Sequence, residues 1–389
     1  MRWVVDLARR MPIIQAAVAW VAFCVVAIVK LHPMIPHLGT HISDPGDPLL
    51  VSWILAWGFH ALTTDPWNLF QANIFYPAET TLAFSEHLLG VLPIFAPAYA
   101  LTGNPIFAYN MVFFLSFPLS GLSMFLLVHY WTRSFWASLL AGALFAFAPL
   151  RFTQYAHLHL LNLYWAPLAL LFLDRFLRRQ RWRDLIGLAV FYWMQVLCSV
   201  YLGWFTTIAL ALYWLCYIVF IDRNSLGRPV LVPYASFAAL SLAVLLPFHL
   251  PYFEVQRQWG ITRMVCHRAE LRGRHASICH AALTLLCLGV FFLELGFRSP
   301  IPLVKIDTAH EIPEVYRWLA AKQPGPIVEL PIGMWENFPY MYFSTYHWLP
   351  IVNGWSGFVP PTYMEIVAKL HDLPSQKAVD FLSAAGVGG

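Results

Sequence analysis

The sequence predicts an α-helical polytopic membrane protein with a small C-terminal α/β soluble piece. Three observations predict it. Of 389 residues, 59% are hydrophobic and 11% charged, with a mean hydropathy of +0.61. Soluble domains carry roughly a quarter charged residues, so this chain cannot dress itself in a water-facing surface. Apolar runs close to the ~20 residues needed to cross a bilayer recur along it. Its 17 Trp and 17 Tyr suit membrane interfaces, where amphipathic rings collect.

The runs come in order. The N-terminal "MRWVVDLARR" leads into an apolar stretch over 12–29, too long for a signal-peptide h-region and followed by no small-residue cleavage site. It is read as an uncleaved first span. Further spans are expected at 107–130, 135–150, 160–177, 184–202, 203–221, 230–248 and 280–297. Two shorter runs, 48–62 and 87–102, are broken by Gly or Pro and suit either crossing or an interfacial, re-entrant position. Residues 1–300 thus form the membrane domain.

Charge sets the expected orientation. "RFLRRQRWRD" (175–184) is the densest basic patch beside a span, and the N-terminus carries Arg2, Arg9 and Arg10. The positive-inside rule assigns both to the cytoplasm, so an even number of crossings separates them. The two short runs then both cross or both stay outside. With both outside, 31–106 is one long first extracytoplasmic loop decorated with helices, and "LRFTQYAHLHL" (150–160) is also extracytoplasmic. A multi-pass protein of the cell (inner or plasma) membrane with a cytoplasmic N-terminus follows.

Beyond the last span, "TAHEIPEVYRWLAAKQPGPIVELPIG" reads as a helix, a Pro-Gly turn and a buried strand. "PPTYMEIVAKLHDLPSQKAVDFLSAAG" reads as two short amphipathic helices. This α/β piece covers 307–389, and "AGVGG" stands where another strand is expected, which suggests truncation. Eight crossings carry the piece to the cytoplasm. The same count leaves 249–279, with five Arg and two Glu, outside against the charge bias.

The candidate chemistry begins at "HISDPGDPLLVSW" (41–53). Asp44-Pro45-Gly46-Asp47 is a turn sequence that brings two carboxylates into one small volume. Asp47 before Pro48 also reads as an N-cap with Pro at N1. Carboxylates at the lip of a span are costly unless paired, solvated or used. There they can serve as a general base on a hydroxyl or hold a divalent cation.

An acid in the first loop after the first span resembles the signature of GT-C-type glycosyltransferases, polytopic enzymes that transfer sugars from polyprenyl-phosphate donors. The similarity continues through "FYPAETTLAFSEHLLG", "GNPIFAYN", "LFAFAPLRFTQYAHLHLL" and "WAPLALLFL", over about 31–250, with an echo in "IVELPIG" and "NGWSGFVPP". It looks most like the poorly characterised bacterial branch of that cell-envelope family. The resemblance implies a GT-C-like fold and Asp47, with Asp44 beside it, as base or metal ligand. Glu86 in "SEHLLG" is a further acid of the same loop, and its alternative role is to complement a helix N-terminus. The family's second-loop acid has no counterpart here, since 150–160 offers Arg151, Gln154, His157 and His159 and no carboxylate. A two-acid magnesium or manganese site is thereby in doubt. Arg151 suits a lipid-linked phosphate by geometry or snorkels to the interface. His157 and His159 share a face only if the segment is extended.

A net charge of +4 without a basic, aromatic-interleaved run excludes nucleic acid as a partner. The six cysteines include no CxxC, and the cluster Cys266, His267, His275, Cys279 and His280 has no recognised zinc spacing. The leading expectation is a glycosyltransferase moving sugar from a polyprenyl-phosphate donor to an extracytoplasmic hydroxyl. The alternatives are a transporter or flippase for a lipid-linked or small substrate, and a non-catalytic GT-C-like scaffold.

Overall fold

The computed structural model describes residues 2–222, 228–259, 301–308 and 311–387, and of these the backbone alone at 2–11 and 228–231. Helix α1 (Arg2–Lys30) is followed by a long loop in which β1 (His41–Ile42), α2 (Asp47–Thr64) and α3 (Leu92–Thr102) form before α4 (Pro105–Thr132). Next come α5 (Phe135–Ala146), α6 (Pro149–Thr153), α7 (Leu158–Leu161), α8 (Trp165–Arg179), α9 (Trp182–Cys198), α10 (Val200–Phe220) and α11 (Arg228–Trp259). The C-terminal part holds β2 (Val304–Lys305), α12 (Glu314–Lys322), α13 (Met334–Ser344), α14 (Pro361–Leu370) and α15 (Gln376–Ala384). Local chemistry sets several starts: the Asn104 side chain caps α4 and the Ser134 hydroxyl caps α5, each accepting from first-turn N–H groups.

Among the described residues, six helical stretches are long and apolar enough to cross a membrane: Pro12–Lys30, Pro105–Thr132, Phe135–Thr153, Leu158–Arg179, Val200–Phe220 and Val232–Trp259. Apolar side chains such as Val18, Val21, Val25 and Val29 of α1 face outward, the surface that acyl chains cover. The protein is a multi-pass helical membrane protein. The run expected as a span at 184–202 is the 17-residue α9, shorter than those six. The span expected at 280–297 lies outside the described residues, as does the Cys266–His280 cluster. The expected 249–279 loop begins later, because α11 continues to Trp259.

The bundle has two ends. One carries the long loop, the α4 N-terminus and 150–160; this is the loop end. The other carries the α4–α5 turn and the arginines of 175–183; this is the arginine end. Helix α2 is apolar around its whole circumference because it is buried around its whole circumference. Twelve of its 18 residues are buried, packed on α3, α4 and α13.

The C-terminal part docks on that loop. Strands β1 and β2 pair antiparallel, His41 with Lys305 and Ile42 with Val304. The extended stretch 351–353 exchanges backbone bonds with 73–76 on one side and touches Ile327 by a single parallel bridge on the other. The strand expected in "PIVELPIG" is reduced to that bridge, because the next backbone N–H and C=O on its side, those of Glu329, pair with the Asn353 side chain instead of with backbone. One core joins α1, α2, the loop, α4 and the C-terminal helices, and a smaller one lies between α8, α9 and α10. Eight crossings would carry the C-terminal piece to the arginine end. The β-pairing and shared core hold it at the loop end instead.

Candidate functional site

The site is built where four segments meet at the loop end. In Asp44-Pro45-Gly46-Asp47, Asp44 Oδ1 accepts from the Gly46 N–H at 2.8 Å and fixes the bend. Gly46, not Asp47, is the N-cap of α2, and no side chain caps that helix. Asp47 is its first residue, with Pro48 second. The capping expectation is therefore corrected: Asp47 complements the helix dipole while its carboxylate stays free for another partner.

That partner is His157, whose Nε2 lies 3.3 Å from Asp47 Oδ2, both side chains being half-exposed. His157 precedes α7 in a non-helical conformation, at φ −107° and ψ 71°. This turns its ring toward His159, 5.9 Å away and near-perpendicular. The two histidines thus meet without an extended strand. His157 Nδ1 is buried with no hydrogen-bond partner.

His159 lies within electrostatic reach of Glu86, His157 and Asp47. Glu86 Oε1 accepts from Ser199 Oγ at 3.0 Å and from the Tyr201 N–H at 3.2 Å. It complements the N-terminus of α10, not that of the helix following it in sequence. Its Oε2 is buried and unpartnered. Beside it, His87 is buried among Phe70, Phe248 and Tyr252. Burial, with a lesser push from His249, lowers His87 to about 3, so it stays uncharged.

Gln154 closes the second loop, its carbonyl accepting from the His157 N–H at 2.9 Å. Arg151 is committed elsewhere through one nitrogen, while its Nε is buried without a hydrogen-bond partner. Its Nη2 donates to Ser116 O at 3.2 Å and Leu161 O at 2.9 Å, and its guanidinium lies over the Phe117 ring. The structure thus brings together Asp47, His157 and His159, sets Glu86 alongside, and uses Asp44 and Arg151 to shape the walls. Among the described residues, no three His, Cys, Asp or Glu side chains are placed to hold a metal ion.

Three contributors escaped the sequence reading. Ser43 Oγ donates to Tyr155 O at 3.1 Å and ties the first loop to the second. The buried Tyr109 hydroxyl lies within electrostatic reach of both Asp44 and Asp47. Trp335 of α13 lies over Gly46, closely enough to meet any added Cβ at 3.3 Å. Tyr109 lies inside "GNPIFAYN", but Trp335 is 289 residues from Gly46 and carries no local signal. No family model matches the chain. No match was found among curated proteins either.

Proposed function

We propose that this chain is a GT-C-type membrane glycosyltransferase that moves a sugar from a polyprenyl-phosphate donor to an acceptor hydroxyl at the loop end. One observation carries the reading: a half-exposed Asp47 carboxylate, free of capping and 3.3 Å from the His157 ring. In that pair the Asp47 carboxylate takes the proton from the acceptor hydroxyl, and the His157 ring beside it holds the carboxylate in place. The acceptor oxygen bonds the anomeric carbon, and the bond to the phosphate breaks with its electron pair leaving on the polyprenyl phosphate. Glu86 and His159 set the local charge. Arg151 acts by holding the second loop in place. By the positive-inside rule the arginine end faces the cytoplasm, with the N-terminus, and the loop end faces the cell envelope.

The test is transfer of radiolabelled sugar from a polyprenyl-phosphate donor in membranes, comparing wild type with Asp47→Asn, His157→Gln and the double variant. A general base contributes about 10²–10⁴-fold. Each single variant is expected to lose about that much, and the double no more than the worse single, because the two groups act as a unit. Wild-type rates in Asp47→Asn would sink the assignment. Movement of intact donor across the bilayer, without transfer, would assign a flippase instead.

A further inference from the structure

The arginine end holds a second arrangement that the transfer reading does not use. Helix α4 ends at Thr132, and Arg133 follows in a left-handed conformation, φ +58°, with its N–H donated to His129 O at 3.0 Å. A non-glycine residue there is uncommon. The turn brings Arg133 over the Tyr130 ring, 5.8 Å from its centroid, and Arg179 from the end of α8 lies at the same 5.8 Å. Together with Trp131 and Arg178 these residues line a cavity of about 200 Å³.

The charges there are not all answered. Arg178 Nε meets both oxygens of the fully buried Asp174 at 2.9 Å. Trp131 Nε1 donates to the same carboxylate at 3.3 Å, and the Tyr213 hydroxyl also donates to it. The Asp174 charge is spent on that wall of the cavity. Arg175 pairs with Asp184 at 2.7 Å. Arg133 and Arg179 have no carboxylate partner among the described residues. Both guanidinium carbons lie 5.8 Å from the centre of one ring, so they are separated by no more than twice that distance, and both line the same cavity. Complementing the helix C-termini explains a cation at each, but not two of them gathered on one phenol. An anion between them would relieve their repulsion, and guanidinium geometry favours phosphate.

Position selects the source of that phosphate. Trp131, Trp136 and Trp182 are exposed at this end, where aromatic side chains mark headgroup depth. Basic pockets between helices at that depth suit anionic lipid headgroups. The Asp47 site lies at the other end of the 28-residue α4, about 40 Å away at 1.5 Å per residue, so a lipid here is not the sugar donor.

We propose that the cavity between the ends of α4 and α8 binds the phosphate of an anionic phospholipid, held between Arg133 and Arg179. The full chain, purified in neutral detergent, is titrated with phosphatidylglycerol or phosphatidylcholine and read by native mass spectrometry. Wild type is expected to retain phosphatidylglycerol and release phosphatidylcholine. Arg133→Gln/Arg179→Gln should weaken retention at least tenfold. Arg181→Gln/Arg183→Gln removes equal charge outside the cavity and should not. Equal retention by the two double variants, or of the two lipids, overturns the proposal. Displacement by millimolar inorganic phosphate would keep a phosphate site but overturn its lipid source. If the cavity variant does not fold, phenylglyoxal modification of wild type decides: phosphatidylglycerol must protect Arg133 and Arg179 and leave Arg183 reactive, and unprotected arginines overturn the proposal.

Discussion

Asp44 and Asp47 are chemically alike and differently employed. Asp44 accepts one backbone N–H through Oδ1, a role the amide oxygen of asparagine can also fill. Asp44→Asn is therefore expected to keep transfer within about tenfold of wild type, against the 10²–10⁴-fold loss for Asp47→Asn. Comparable losses in both would mean that the bend needs two charges. Asn73 offers a second residue-level test, on stability. Its Oδ1 accepts from Trp53 Nε1, and its Nδ2 donates to Ser344 Oγ and Leu349 O, each at 3.1 Å and all buried. Asn73→Ala orphans the Trp53 donor and removes two side-chain bonds between the loop and the C-terminal part, at a cost of about 1–3 kcal/mol per unpaired group. Thermolysin should then cut the 301–387 region faster, and unchanged cleavage would show that other contacts hold it.

Among the elements, the spanning helices were legible because length and hydropathy alone define them. Helix α2 was not, since a continuous apolar run reads the same whether lipid or protein surrounds it. The bridge at Ile327 reads as a strand because sequence does not show that the Asn353 side chain takes the backbone bonds of Glu329. Close packing was equally silent. A Cβ on Gly142 of α5 would come within 2.5 Å of Phe23 Cζ and 2.6 Å of the Gly121 carbonyl, so the absence of side chains lets α1, α4 and α5 close together. Gly142→Val should lower the unfolding temperature in detergent, and Phe23→Ala on that background should recover part of the loss. The segment after α12 makes a pH-dependent contribution to stability. Burial raises Glu329 to about 7, against an opposing bond from the Tyr316 hydroxyl. The folded carboxyl then keeps its proton where the unfolded one has lost it. Its contribution is full below about 4.5 and fades as pH rises through about 7. Wild type minus Glu329→Gln unfolding temperatures should fall across that window; a flat difference would show that Glu329 titrates normally.

At the scale of the whole molecule, the site was half legible. Asp47 stood out as a charge at the lip of a span, whereas its pairing with His157 depends on two loops, 110 residues apart in sequence, arriving together. The side of the C-terminal part was illegible, because counting crossings assumes that each apolar run crosses once. The fold answers with β1 paired to β2 and with Trp259 of α11 against Phe358, so first loop and C-terminal part share one side. In a chain with all six cysteines replaced, single cysteines at Trp67 and Val315, both well exposed, should react alike with an impermeant maleimide on intact cells. A cysteine at the exposed Arg183 should react only after permeabilisation if the arginine end faces the cytoplasm. Trp67 and Val315 labelling from opposite sides would break the docking of the C-terminal part, and with it the cover that Trp335 gives the Asp44–Asp47 bend. Labelling of all three from outside would leave the fold intact and reverse only its orientation in the membrane.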